Sequence, residues 1–234
     1  MIGFIRYQFI SYIRSLKIIP PLIAFITWVI ILYFYENVPV LSSYAVTSIV
    51  VYLVMTWVAM TVFSIEEENE KNILCVQLGS KHRYIWGKWI ICVIIACIMI
   101  ICAIIYPIMM GNFSRDVTFV DIILSIYSHS FAALFGIVVG SFFSITSFAG
   151  KKYTWLLAVL VIVISISYEG LIEKVSMLKW LLVIFPPIAQ VIKHLSGDDI
   201  VYIGRDFWLL AVWIIAYTVI SFIITIRLFL RKER

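Results

Sequence analysis

Six long stretches without a single Asp, Glu, Lys or Arg dominate this chain: Ile18–Tyr35, Val38–Ile65, Trp89–Ser114, Ile122–Gly150, Tyr153–Tyr168 and Phe207–Ile226. A helix rises about 1.5 Å per residue, so roughly 20 apolar residues cross a hydrocarbon core of about 30 Å. Five of the runs meet or approach that length. Tyr153–Tyr168 is short and needs flanking residues or a locally thin bilayer. With 64% of residues hydrophobic and 13% charged, the chain has too little polar surface to cover a soluble domain of this size.

A seventh apolar stretch, Trp180–Ile192, has 13 residues and is interrupted by Pro186-Pro187. Two adjacent prolines remove two backbone donors, which argues against a straight span and for a segment that dips in and returns. Charge placement sets the orientation. Met1–Lys17, Glu66–Lys88, Gly150–Lys152 and Arg227–Arg234 hold thirteen of the eighteen Lys and Arg residues. The complementary loops hold the other five, Arg115, Lys174, Lys179, Lys193 and Arg205, against eight of the thirteen acids. The positive-inside rule therefore predicts that both termini are cytoplasmic, which requires an even number of crossings. The expected architecture is an all-α integral membrane protein with six transmembrane helices and one extracellular re-entrant hairpin between the fifth and sixth. It forms a single domain over 1–234, with an interfacial helix in 1–17, a cytoplasmic elbow in 66–88 and an extracellular segment in 169–206.

The basic residues are scattered as topological anchors and form no stripe, so no nucleic-acid partner is expected. The first apolar run follows Lys17, carries Pro20-Pro21 near its start and lacks a small-residue cleavage site, so it does not read as a signal peptide. Cys75, Cys92, Cys97 and Cys102 suggest neither a disulfide framework nor a metal site. The last three are spaced by five, and that interval turns each about 140° from the previous one around a helix.

Ile2, Ile5, Phe9, Ile13 and Leu16 fall at helical spacing with Arg6, Arg14 and Lys17 on the flanks, a pattern that predicts a helix lying along the cytoplasmic leaflet. The elbow opens with Glu66, Glu67, Glu68 and Glu70, suited to a helix N-terminus, and continues with Ile73, Leu74, Gln77 and Leu78 on one face. Gly79-Ser80 breaks that helix, and Ser80 is a candidate cap for a second, Lys81–Lys88, leading into the third span. In the fourth span Ala132, Gly136, Gly140 and Ser144 recur every four residues and predict close helix packing, within the subunit or between subunits. His129, near Ser125, Ser128 and Ser130, is an intramembrane ionisable residue. It is either functional or a neutral histidine bonded to a neighbouring helix.

No Gly-x-x-x-x-Gly-Lys-Ser/Thr occurs, so ATP is not expected in this chain, and no hydrolase or metalloprotease motif is present. Glu66-Glu67 and His194-x-x-x-Asp198 faintly suggest an intramembrane protease, but the predicted topology puts them on opposite sides of a bilayer about 30 Å thick.

The elbow is similar to that of type-2 permeases of the ATP-binding-cassette (ABC) transporter superfamily. The residues carrying the likeness are the acids Glu66–Glu70, the stretch Ile73-Leu74 through Leu78, Ser80-Lys81-His82-Arg83 and Gly87-Lys88. Lys71-Asn72 replaces the usual Gly-Thr, and the proline often found before the serine is absent. The order of interfacial helix, six spans and late re-entrant hairpin extends the resemblance over the whole chain. It implies a subunit without cofactor of its own, paired with a second permease subunit, as a homodimer, and docked on two copies of a cytoplasmic ATPase that carry ATP and Mg. Glu66, Glu67, Glu70, Leu74, Leu78, Ser80 and Lys88 are then coupling residues, and Trp180, Phe185, Pro186, Pro187 and Ile188 an extracellular gate. Small permeases of this kind resemble exporters of amphipathic or antimicrobial peptides, including bacteriocin-immunity systems and phenol-soluble modulin exporters, in bacterial cytoplasmic membranes. Exporters of lipid-linked glycans, drugs or ions share the fold, and a membrane sensor or assembly subunit without transport is the alternative from another class.

Overall fold

The computed structural model describes residues 1–146, 153–175, 177–195 and 204–232. Lys151 and Lys152, of the predicted cytoplasmic charges, lie outside the described residues, as do Asp198, Asp199 and Arg234. The described residues form helices and no strand, apart from one isolated bridge between Val38 and Phe113.

Among the described residues, four helices are long and apolar enough to cross a membrane: α3 (Val40–Phe63), α5 (Lys81–Met110), α6 (Phe119–Ile145) and α11 (Arg205–Lys232). Two further candidates are bent pairs. Helix α1 (Ile2–Arg14) meets α2 (Ile19–Leu32) at 74°, and α7 (Thr154–Ile166) meets α8 (Tyr168–Lys174) at 65°, so the count reaches six if each pair is one span. Pro20 and Pro21 sit in the first turn of α2, where a missing N–H costs nothing. The elbow holds α4 (Glu68–Gln77), and the predicted second elbow helix is the first two turns of the 30-residue α5. Ser80 occupies the N-cap position of α5 with extended backbone, but its side chain makes no capping bond. After α8 come α9 (Leu178–Leu182), the Pro186-Pro187 corner, α10 (Ile188–Ile192) and a 3-10 turn (Lys193–Leu195).

Helices α3 and α6 are the centre of the bundle. In the most apolar 18 residues of each, 67% of α3 and 61% of α6 are buried, against 22% of α11. The smallness of α6 at Gly136 and Gly140 explains the pairing. A Cβ on Gly136 would lie 2.7 Å from the Tyr52 carbonyl oxygen and 2.9 Å from the Met55 Cβ, and one on Gly140 would collide with the Thr56 carbonyl oxygen. Ala132 is fully buried in the same seam, and Ser144 donates to the Gly140 carbonyl at 2.8 Å. This small-residue face is thus spent on α3 within the subunit. Hydroxyls on α3 meet their hydrogen-bonding needs one turn back: Ser48 donates to the Tyr44 carbonyl at 2.8 Å and Thr56 to that of Tyr52 at 2.9 Å.

The two ends of the bundle are tied differently. At one end the loop after α2 meets the loop after α5. Val38 N–H donates to Asn112 O at 2.9 Å, Ser114 N–H to Val38 O at 3.0 Å, and the Asn112 amide to Tyr33 O at 2.8 Å. Phe113 packs on Tyr33 and Tyr44 there, while Arg115 grips Asp121 at 2.6 and 3.0 Å beside the Thr118 capping box of α6. At the other end Phe4 packs on Tyr84 and Tyr84 stacks on Phe229, so both ends of the described chain meet beside the elbow.

Candidate functional site

The elbow is built around a buried ion pair. Lys88 Nζ lies 2.6 Å from both Glu66 carboxylate oxygens and donates to the Val62 carbonyl at 2.8 Å, with side-chain exposures of 0% for Lys88 and 1% for Glu66. The Tyr84 hydroxyl donates to Glu66 Oε2 at 2.9 Å, and the ammonium sits 5.5 Å from the Tyr84 ring centroid. A buried charge is tolerated only when paired and hydrogen-bonded, and here both conditions hold. Glu66 follows α3 and Lys88 lies two turns into α5, so the pair fastens the two ends of the elbow together. Neither is available to a partner surface.

Helix α4 therefore leaves the membrane end on a fixed base. Glu67 takes its N-cap position, and Glu68 and Glu70 occupy the first turn, where the helix dipole favours negative charge. Leu74 and Leu78 turn inward with the buried Cys75 and pack against the main core. Among the residues that α4 and its N-cap present to solvent are the acids Glu67, Glu68 and Glu70 and the aliphatic Ile73 and Val76, the last of them 80% exposed. Gly79, at φ +65°, makes the left-handed turn that ends the helix. The α1 helix braces this assembly from the side: Tyr7 donates to Glu70 at 3.1 Å, Tyr12 and Thr61 share a hydrogen bond of 2.9 Å, and the Phe4 ring rests where a Gly87 Cβ would stand. The hydrogen bond to Glu70 raises the Tyr7 pKa and keeps the phenol protonated. Sequence reading missed Tyr7, Tyr12 and Tyr84; the one signal was Gly87, a glycine in a run otherwise suited to helix.

A cleft of about 460 Å³ opens between the elbow and the ends of α3, α6, α7 and α11. Glu68, Lys71, Ser144, Thr154, Trp155 and Phe229 contribute to its walls, with Glu66 and Tyr84. It has apolar and charged lining side by side.

The remaining sequence candidates are dispersed. Trp180 is 85% exposed, Phe185 is half-buried, and Pro186, Pro187 and Ile188 are buried, Ile188 in a core shared with Tyr52, Phe135 and Ile214. His129 is fully buried between α6 and α3. Its Nδ1 lies 2.8 Å from the Ser125 carbonyl, which requires a proton there, and its Nε2 lies 2.9 Å from the Thr47 hydroxyl. Ser48 bonds Ser128 at 3.0 Å in the same seam. His129 thus joins α6 to α3. No disulfide joins Cys75, Cys92, Cys97 and Cys102, and no group of three or more His, Cys, Asp and Glu is placed to hold a metal among the described residues.

Comparison of the chain with family models, with curated proteins and with solved structures finds no match.

Proposed function

We propose that this chain is the membrane-spanning permease subunit of an ATP-driven exporter, of the type-2 ABC kind, exporting amphipathic peptides from a bacterial cytoplasm or its inner leaflet. It spans the membrane six times with both termini in the cytoplasm, α1 lies at the interface, and α9–α10 form a re-entrant extracellular hairpin. Two such subunits pair, and each docks one cytoplasmic ATPase.

The observation that carries this reading is the elbow. The ten-residue helix and its N-cap present three acids, Glu67, Glu68 and Glu70, and two aliphatic side chains, Ile73 and Val76, to solvent, on a base locked to two long apolar helices by the Glu66–Lys88 pair. An anchor without a moving partner has no use for such a lever, whereas an ATPase that closes on nucleotide can drive one as a rigid body. The gene for an ABC ATPase of the same organism, co-expressed with this chain, supplies the test. The ATPase is expected to co-purify and its hydrolysis to respond to the subunit. Ile73→Asp with Val76→Asp should abolish the association while leaving the protein in the membrane, and reversal of Glu67 and Glu70 to Lys should weaken it. Normal coupling in both variants would remove the elbow as the contact. Failure of every such ATPase to associate with the wild-type chain would favour the sensor or assembly alternative.

A further inference from the structure

Helix α1 divides its circumference three ways. Phe4, Gln8 and Tyr12, one residue in every four, form a buried stripe against the bundle. At 3.6 residues per turn, Ile2, Ile5, Phe9 and Ile13 fall on a second face about 100° round from that stripe. Ile2 is 85% exposed and Ile13 is exposed too, while Ile5 and Phe9 are half-buried. Arg6 borders this apolar face. Beyond it come Ile10, Arg14 and then Tyr7, whose hydroxyl reaches the elbow at Glu70. The chain leaves α1 through Leu16, at φ +59°, and enters α2 at 74°, so α1 runs nearly across the direction of the helix that follows it.

The charge on this segment is of one sign. Residues 1–17 hold Arg6, Arg14 and Lys17 and no Asp or Glu. All three side chains are exposed, and none makes a hydrogen bond or ion pair among the described residues. Glu70 takes the Tyr7 hydroxyl and pairs with none of them, while Glu66 is held by Lys88. Long basic side chains rooted at an apolar–water boundary lay their stems on the apolar side and hold the charge among the head groups. Zwitterionic lipid offers phosphate and choline in equal number and no net charge. Anionic lipid carries the uncompensated negative charge that three uncompensated cations attract.

We propose that α1 is a lipid-docking face that gathers anionic phospholipid, with its isoleucines and Phe9 among the acyl chains and Arg6, Arg14 and Lys17 on the phosphates. The same helix braces the elbow through Tyr7 and Glu70, so the lipid it gathers lies beside α4. That this leaflet is the cytoplasmic one rests on the exporter reading; the preference for anionic lipid belongs to α1 itself and needs no ATPase.

The test reads the lipid beside α1 in the full chain. In a protein cleared of its four cysteines, Gly3→Cys, at a position with nothing within 4 Å, carries a donor fluorophore. The protein is reconstituted in phosphatidylcholine vesicles holding a trace of phosphatidylglycerol with an acceptor on its acyl chain or, separately, of phosphatidylcholine with the same acceptor. Energy transfer is expected to report phosphatidylglycerol enriched at least about fivefold over phosphatidylcholine, the factor that one basic residue beside anionic lipid supplies. Salt at about 1 M, which screens charges beyond about 3 Å, should abolish the enrichment. Arg6→Gln with Arg14→Gln and Lys17→Gln should equalise the two lipids. Arg227→Gln with Arg231→Gln, exposed at the end of α11, should leave the enrichment unchanged. Unfolding midpoints equal to wild type show that both variants are folded. Equal transfer from the two lipids in the wild type overturns the docking face, as does enrichment that survives the α1 variant or salt, or that is lost in the α11 variant. Enrichment without ATPase coupling would keep the face and sink the exporter reading, and coupling without enrichment would do the reverse.

Discussion

Lys88 and Glu66 show how one residue can have a different role from the one its position in the chain suggests. As charges in a cytoplasmic loop they read as surface features, yet their side chains are 0% and 1% exposed and bonded to each other. Removing one partner of such a pair strands the other in a medium that cannot solvate it, a loss of about 3–5 kcal/mol. Lys88→Met is therefore expected to lower the unfolding midpoint of the detergent-solubilised protein sharply. The double variant Lys88→Met/Glu66→Leu, with neither charge, should recover most of the loss. Additive losses in that double-mutant cycle would show that the two side chains do not act as a pair. The pair left a trace in the sequence: Glu66 is the first charge after one apolar run and Lys88 the last before the next, so both sit where lipid gives way to water. His129 left less. Ser125 and Ser128 were visible beside it, but its partners Thr47 and Ser48 lie some eighty residues away on another helix.

The pairing of α3 with α6 depends on two glycines. Gly136 and Gly140 let the backbones approach until any side chain would meet main-chain oxygen. Gly140→Leu is expected to destabilise the protein by about 1–3 kcal/mol through overpacking, read as a lower unfolding midpoint. Gly3→Ala on α1, where nothing lies within 4 Å, should be neutral or slightly stabilising. Equal effects of the two substitutions would mean that the seam is looser than its geometry. The four-residue spacing announced a close-packed face but not its partner. The elbow gives a parallel case, since α4 follows a helical period that fits either an inward or an outward leucine face. Packing turned Leu74 and Leu78 in and left Ile73 and Val76 out. Leu74→Asp is accordingly expected to disorder the elbow, seen as faster proteolysis at 66–88, whereas Ile73→Asp should leave its protease resistance unchanged. Protease resistance in the Leu74 variant equal to wild type would place that side chain outside the core.

Across the whole molecule, the loop pair around Val38 and Asn112 marks one end of the bundle, and the elbow with α1 and Phe229 marks the other. The proposed orientation puts the elbow end in the cytoplasm. In a protein cleared of its four cysteines, Asn69→Cys should resist an impermeant thiol reagent in intact cells and Asp116→Cys should react, both positions being exposed. The reverse pattern would invert the orientation. Much of α11 remains uncovered, with Trp208, Leu209 and Val212 each more than 60% exposed, as expected of a helix that faces lipid or a second subunit.

The amino-acid sequence by itself determined that this chain is helical and suited to a membrane, because uncharged runs of this length leave the backbone no other way to satisfy its hydrogen bonds in lipid. It also determined where helices break, since Pro186-Pro187 and Gly79 act through local backbone geometry that needs no neighbours. Tertiary structure alone decided which faces look inward. Inside an apolar helix almost every side chain is acceptable to both lipid and protein, so hydrophobic periodicity carries little information about burial. The partners of Glu66, His129 and Gly140 were settled by contacts between helices far apart in the chain.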